Sequence, residues 1–346
     1  MVDAAHITAS LGSNRSLRDV QAGAPATEVS LTRVGVRGVE KVIHVAGTNG
    51  AEGATTAAPL FFAELEAFVD LNPRQSGVHM SRFEEVVNEA IDQVVLGESL
   101  RAEELAAHVA ERVRERQGGL RAEVRIEARY PETTAAPESG LATQEIYKLH
   151  GVAVASERGT RTLTGVEAQG MTACPCAQGL LADAARERLE ADGFDAGEID
   201  RILEAVPVAT HNQRGIGQLH LGRPEGVELD IDARDLLRIV ESSMSSEIYE
   251  LMKRSDEAAV VEKAHRNPRF VEDVVREMVR QVAEAYPELR DGGFLVARQE
   301  NLETIHRHTV IAERTGMIAE VLAEIETGEH SRHHMTRREW LEAPAA

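Results

Sequence analysis

The chain has 346 residues, 42% of them apolar, and a formal net charge of −20. That is enough apolar chain for one large domain or two ordinary ones. The acidic surplus and the 3% aromatic content argue against nucleic acid as a partner, because phosphate backbones are held by clustered Lys and Arg and bases by aromatic platforms. No apolar run reaches the length of a membrane span and Met1–Ala26 lacks an apolar core, so neither a span nor a secretory signal is expected, and the protein is expected in the cytoplasm.

Residues 1–30 carry Gly, Ser, Pro and Asn without periodicity and read as a flexible arm. Val34–Val45 and Leu60–Leu71 are rich in strand formers and flank the Gly/Ala/Thr stretch Gly47–Thr56, which predicts a hairpin. Phe83, Val86, Val87, Ala90, Ile91, Val94 and Val95 then recur at helical spacing, with Ser81 as the expected N-cap. A second helix is predicted over Arg101–Gln117, stopped by Gly118-Gly119, and strands over Leu120–Tyr130 and Glu145–Ser156. Two strands, two helices and two strands make a first unit over 31–160.

The second half repeats that order. Strands are predicted at Arg161–Ala173 and Ile216–Leu221, short helices at Asp232–Val240 and Ser245–Lys253, and a longer helix at Phe270–Ala285. Closing strands at Gly293–Gln299 and Thr304–Ile311 and a helix at Glu313–Glu326 complete a unit over 161–330, followed by a tail over 331–346. Inserted at 178–205 is an Ala/Glu/Arg-rich helical hairpin, Gln178–Ala191 and Ala196–Ala205.

The only two cysteines are Cys174 and Cys176, on either side of Pro175. Two thiols so close cannot build a disulfide framework. They are either small buried hydrophobes or include a metal-binding thiolate. His211 opens the run His-Asn-Gln-Arg, Asp256-Glu257 ends a charged stretch, and Glu272 stands near a helix start, where a favourable helix-dipole position is the plain alternative. Glu303 and His306 have helical spacing, whereas His306 and His308 have strand spacing. Thiol, imidazole and carboxylate together suffice for a closed zinc shell or for an open catalytic site with an acid/base. Spacing alone does not choose between them.

Five separated motifs add what spacing lacks. Gly77-Val78-His79-Met80-Ser81-Arg82-Phe83, the Cys-Pro-Cys segment, His-Asn-Gln-Arg, Phe270-Val271-Glu272-Asp273 and Glu303-Thr304-Ile305-His306 resemble the type IB GTP cyclohydrolase family, which includes a bacterial folate-pathway type and an archaeal methanopterin-pathway type. The resemblance implies an α+β tunnelling fold of two tandem ββααββ units, with antiparallel sheets, helices on one face and assembly into barrels, in a homotetramer with interfacial active sites. It implies GTP as substrate, opened at guanine C8 with release of formate. The bacterial type would give 7,8-dihydroneopterin triphosphate and the archaeal type the 2′,3′-cyclic phosphate. The wording around Met80 and Asn212 makes the triphosphate the expected product, and the long insertion makes the cyclic phosphate its alternative. No organic cofactor is implied, only a divalent metal, Zn²⁺, Mn²⁺ or Fe²⁺, held by Cys174, His211, Glu257 and His306. Glu272 would anchor the guanine edge, Glu303 and His308 would move protons, and Arg82, Arg214 and Arg254 would meet the triphosphate.

Overall fold

The computed structural model describes residues 21–44, 60–96, 101–224, 227, 229 and 231–343. Most of the expected arm, the Gly47–Thr56 hairpin tip, the last expected residue of the first strand (Val45) and the side chains of Val94 and Val95 lie outside the described residues. In the first half, strands β1 (Leu31–His44) and β2 (Leu60–Leu71) precede helices α1 (Met80–Leu96) and α2 (Ala102–Gln117). Strands β3 (Arg121–Ala135) and β4 (Ala142–Ser156) follow. Gly118 closes α2 in the left-handed conformation, as a helix-terminating glycine should, whereas Ser81 lies inside α1 and not at its cap.

The second half runs β5 (Gly159–Ala173), α3 (Pro175–Ala191), α4 (Ala196–Ala205), β6 (Asn212–Arg223) and α5 (Ala233–Ser243). It continues through β7 (Ser246–Glu247), α6 (Arg254–Arg266), α7 (Val271–Ala285), β8 (Phe294–Leu302), β9 (Val310–Met317), α8 (Ile318–Thr327) and α9 (Arg337–Glu342). Three expectations fail here. Ser245–Lys253 is a two-residue strand and a loop, and the helix begins only at Arg254. Thr304–Ile311 is mostly the connection between β8 and β9, which displaces the last helix to Ile318. The tail carries α9.

The expected pair of sheets assembling into barrels is also corrected. The strands form one nine-stranded antiparallel sheet in the order β1-β2-β3-β4-β5-β6-β8-β9, with β7 paired to β5. The cause is the tight turn at Glu157-Arg158. It pairs Ser156 with Gly159 and zips β4 to β5 as far as Lys148 and Glu167, so the two halves become one surface. Among the described residues β1 and β9 each pair on one side only, which leaves the sheet open.

Side chains alternate across this sheet. One face, with Ala153, Ala155, Val166, Leu219 and Ala297, packs under α1, α2, α5 and α7 in the main core. The other face carries a smaller core of Val152, Val154, Leu163 and Phe294 beneath Trp340 of α9. Trp340 stacks on Phe294 with ring centroids 5.4 Å apart, donates from Nε1 to Gly292 O at 3.0 Å, and its own carbonyl accepts from Arg161 at 2.9 Å. Gly222 makes the seat: a Cβ there would lie 2.5 Å from the Trp340 ring. Across the halves, the fully buried Asp256 accepts from Ser139 Oγ at 2.7 Å and from the backbone N–H groups of Glu138, Ser139 and Lys253, each at 2.8 Å. These donors hold its carboxyl well below the usual range despite its burial. Among the described residues no helix is long and apolar enough to cross a membrane.

Candidate active site

β5 and β6 stay paired to their ends, where Ala173 faces Asn212. The ladder then continues without a regular strand: Cys174 N–H donates to His211 O at 3.1 Å, and Thr210 Oγ1 donates to Cys174 O at 2.9 Å. Pro175 opens α3 directly after Cys174, a position where its missing N–H costs nothing. Cys174 is thereby held half-buried at the strand end beside His211, while Cys176 is exposed on the helix. Arg269 N–H donates to Ala173 O at 3.0 Å and brings the start of α7 to the same edge.

The best-defined chemistry is around the His211 ring. Buried Gln213 donates through Nε2 to Thr172 Oγ1 at 2.9 Å, which turns its Oε1 toward His211 Nδ1 at 3.0 Å. An acceptor oxygen at that distance selects the tautomer protonated at Nδ1 and leaves the lone pair on Nε2. Glu303 Oε2 stands 3.7 Å from the same Nδ1, and its side chain is only 9% exposed. The ring is thus oriented by an amide and faced by a carboxylate, the kind of support that fixes a ligating or proton-transferring histidine. Gln213 escaped the sequence reading. The signal was its i,i+2 relation to His211, which puts both side chains on one sheet face once the motif is recognised as strand.

The other candidates are less gathered. His306 and His308 stack on each other at 5.0 Å but are exposed in the β8–β9 connection. Glu257 is exposed in the first turn of α6, its buried neighbour Asp256 being the anchor already described, and Arg254 begins the same helix, also exposed. Glu272 is exposed in the first turn of α7, three residues after Arg269. Arg214 alternates to the sheet face opposite Gln213 and donates to Gln169 Oε1 at 3.1 Å. Arg82 donates to Arg116 O at 2.9 Å, beside the turn into the start of β3 and so at the far end of the sheet from Cys174.

The donor set of thiol, imidazole and carboxylate matches a divalent transition ion in chemistry. Its arrangement does not match a finished cage. Among the described residues no group of three or more His, Cys, Asp or Glu side chains is placed to hold a metal. His211 and Glu303 face each other beside the backbone of Cys174 at one strand end, and among the described residues no such group joins them to Glu257, His306 or His308.

Residues 17–312 match the family model described as type I GTP cyclohydrolase FolE2. GTP cyclohydrolase MptA of Methanococcus aeolicus is 40% identical over 313 residues, covering 89% of this chain and 99% of that protein. The protein of the same name from Methanocaldococcus jannaschii is 38% identical over 312 residues, covering 89% and 97%. Among solved structures, uricase from Arthrobacter globiformis is similar over 89% of this chain and 98% of that one, with a TM-score of 0.49 and 12% identity, too distant to carry an argument.

Proposed function

The chain belongs to the type I GTP cyclohydrolase family, and from that premise we propose that it hydrolyses GTP at guanine C8, with the strand end at Cys174, His211 and Glu303 as the reacting centre. The observation that carries the reading is the His211 ring, held by Gln213 and faced by Glu303. Two waters add in succession at C8: the first opens the C8–N9 bond to leave a formamide on N7, and the second cleaves C8–N7 and releases formate. The ribose then opens and rearranges to a ketose, and the freed N7 amine condenses with its carbonyl, expelling one water, to close the pterin ring. Glu303 accepts the proton of the attacking water. Glu272 accepts the two N–H groups of the guanine edge, which fixes C8 at a set distance from the centre. His308 returns a proton to the departing nitrogen. Arg214 and Arg254 offer bidentate donors to the phosphates.

A divalent ion, when bound, would take Cys174 and His211 Nε2 as ligands and lower the pKa of a bound water. The further ligands Glu257 and His306 and the substrate cation Arg82 are not beside that pair in one chain. A homotetramer with sites between subunits is the arrangement that supplies such groups from a neighbouring copy, and we propose it on that ground. Sedimentation of the purified chain tests it.

For the product we favour 7,8-dihydroneopterin 2′,3′-cyclic phosphate. It is supported by the methanogen relatives and by the α3–α4 hairpin, which stands between Cys174 and His211. The triphosphate is the second reading, supported by the FolE2 family match. Incubation of the chelated protein with GTP and Mn²⁺, Fe²⁺ or Zn²⁺ should release formate and a pterin that becomes fluorescent on oxidation. GTP left intact with all three ions overturns the function. Mass spectrometry of the pterin separates the two products.

A further inference from the structure

At the end of the sheet remote from Cys174, a cavity of about 200 Å³ lies between β1, β3 and α9. Its walls carry five guanidinium groups, Arg33, Arg121, Arg125, Arg337 and Arg338, and two carboxylates, Glu123 and Glu342. The carboxylates are fully used. Glu123 meets Arg33 at 3.6 Å, Arg121 at 3.2 Å and Arg125 at 2.8 Å, and Glu342 meets Arg121 at 3.2 Å and Arg338 at 3.1 Å. Arg337 is half-buried, and its guanidinium makes no hydrogen bond or ion pair with any described residue. Burial and the neighbouring Arg125 depress its pKa, against weaker support from Glu123 and from Glu313 on β9. In a chain of net charge −20, three guanidiniums in excess around one concavity, one of them unpaired, is a charge arrangement completed by an anion.

We propose that this cavity is a second ligand site, one that binds a phosphoryl chain through Arg337, Arg125 and Arg338. Planar guanidiniums converging from a strand and a helix suit the several oxygens of linked phosphates better than a single halide. The volume, room for about half a dozen waters, accommodates one or two phosphoryl groups. The site is separate from the reacting centre: Arg121 pairs with Ser156 and Ser156 with Gly159, at the start of β5, whereas Cys174 follows its other end. Fifteen residues of strand put roughly 45 Å between them. The inference is independent of the cyclohydrolase reading.

Trp340, the chain's single tryptophan, lies on α9 three residues from Arg337 and next to Leu341, which lines the cavity. The experiment titrates the full chain with tripolyphosphate, and separately with GTP, at low ionic strength, following Trp340 emission, in the Cys174→Ala background as well as in the wild type. A saturable emission change is expected, weakened about tenfold by Arg337→Gln, the loss of one charge-assisted contact, and retained by Arg337→Lys. If Arg337→Gln does not fold by circular dichroism, Arg125→Gln gives the same test. A response to GTP as well as tripolyphosphate identifies a nucleotide's phosphates as the occupant, and a response to tripolyphosphate alone identifies free oligophosphate; both support the site. No saturable change with either probe in folded wild-type protein, or unchanged affinity in the folded Gln variants, overturns it.

Discussion

The two ends of the sheet solve opposite electrostatic problems. At the Cys174 end, the His211 ring is faced by the Glu303 carboxylate beside the Cys174 backbone, and its hydrogen bond to Gln213 leaves Nε2 open. At the Arg121 end, guanidiniums outnumber carboxylates and the C-terminal helix closes over them, seated by Trp340. One end is built to take up an electrophile or a proton, the other an anion. The difference teaches that a net charge of −20 is a poor guide to any one cavity, because the local ratio of groups decides what binds.

Substitutions that break one end while sparing the other sharpen this contrast. His211→Ala should have the largest effect, a fall in kcat/KM on the order of 10⁴-fold, with Trp340 emission unchanged; single-turnover kinetics beside the emission spectrum check both. Trp340→Ala should cost about 4 kcal/mol in denaturant unfolding, the range for emptying an aromatic site in a packed core, while formate release per folded molecule stays near wild type. Gln213→Ala should lower turnover by about 10- to 100-fold through loss of ring orientation. It should also change the His211 tautomer read from the ring-nitrogen NMR shifts, which a merely structural loss would not do.

The smallest effect belongs midway between the ends, where His150 and His220 flank Gly165 with ring centroids 5.3 Å apart. Burial, and then His150, lower the His220 pKa to about 3. The unfolded chain takes up this proton near pH 6.5 and the folded chain does not, so stability is complete above about pH 6.5 and is lost as pH falls toward 3. At pH 5 the loss should be about 2 kcal/mol. His220→Gln should flatten that slope in melts between pH 7 and 5; an unchanged slope removes the histidine from the account.

Much of the architecture was legible in the sequence because it rests on periodicity. The 3,4 spacing of Val274, Val275, Met278 and Val282 predicted α7, and those side chains are buried. The insertion was legible from its Ala/Glu/Arg bias and became α3 and α4. What failed was decided by tertiary contacts. Residues 245–253 look helical by composition, yet Met171 pairs with Ser246 and Asp256 starts the helix later by accepting from Lys253 N–H. The site was legible as residue types: His211 and Glu303 face each other beside the Cys174 backbone at one strand end. Gln213 was not, since an orienting amide differs from any surface amide only in what it touches. Neither was the Arg337 cavity, whose members lie some 300 residues apart from β1 to α9.

Asp256 has a consequence for the chain's history. The repeated order of elements reads as a doubled ancestor, and in such a doubling each copy begins self-sufficient. Here a carboxylate of the later half is satisfied by a turn of the earlier one, through Glu138 and Ser139. Once that turn was recruited, neither half could be exchanged for a homologous piece without carrying its counterpart. Inheritance of the two halves is therefore linked, and recombination within the family should tolerate crossovers outside residues 138–256 better than inside.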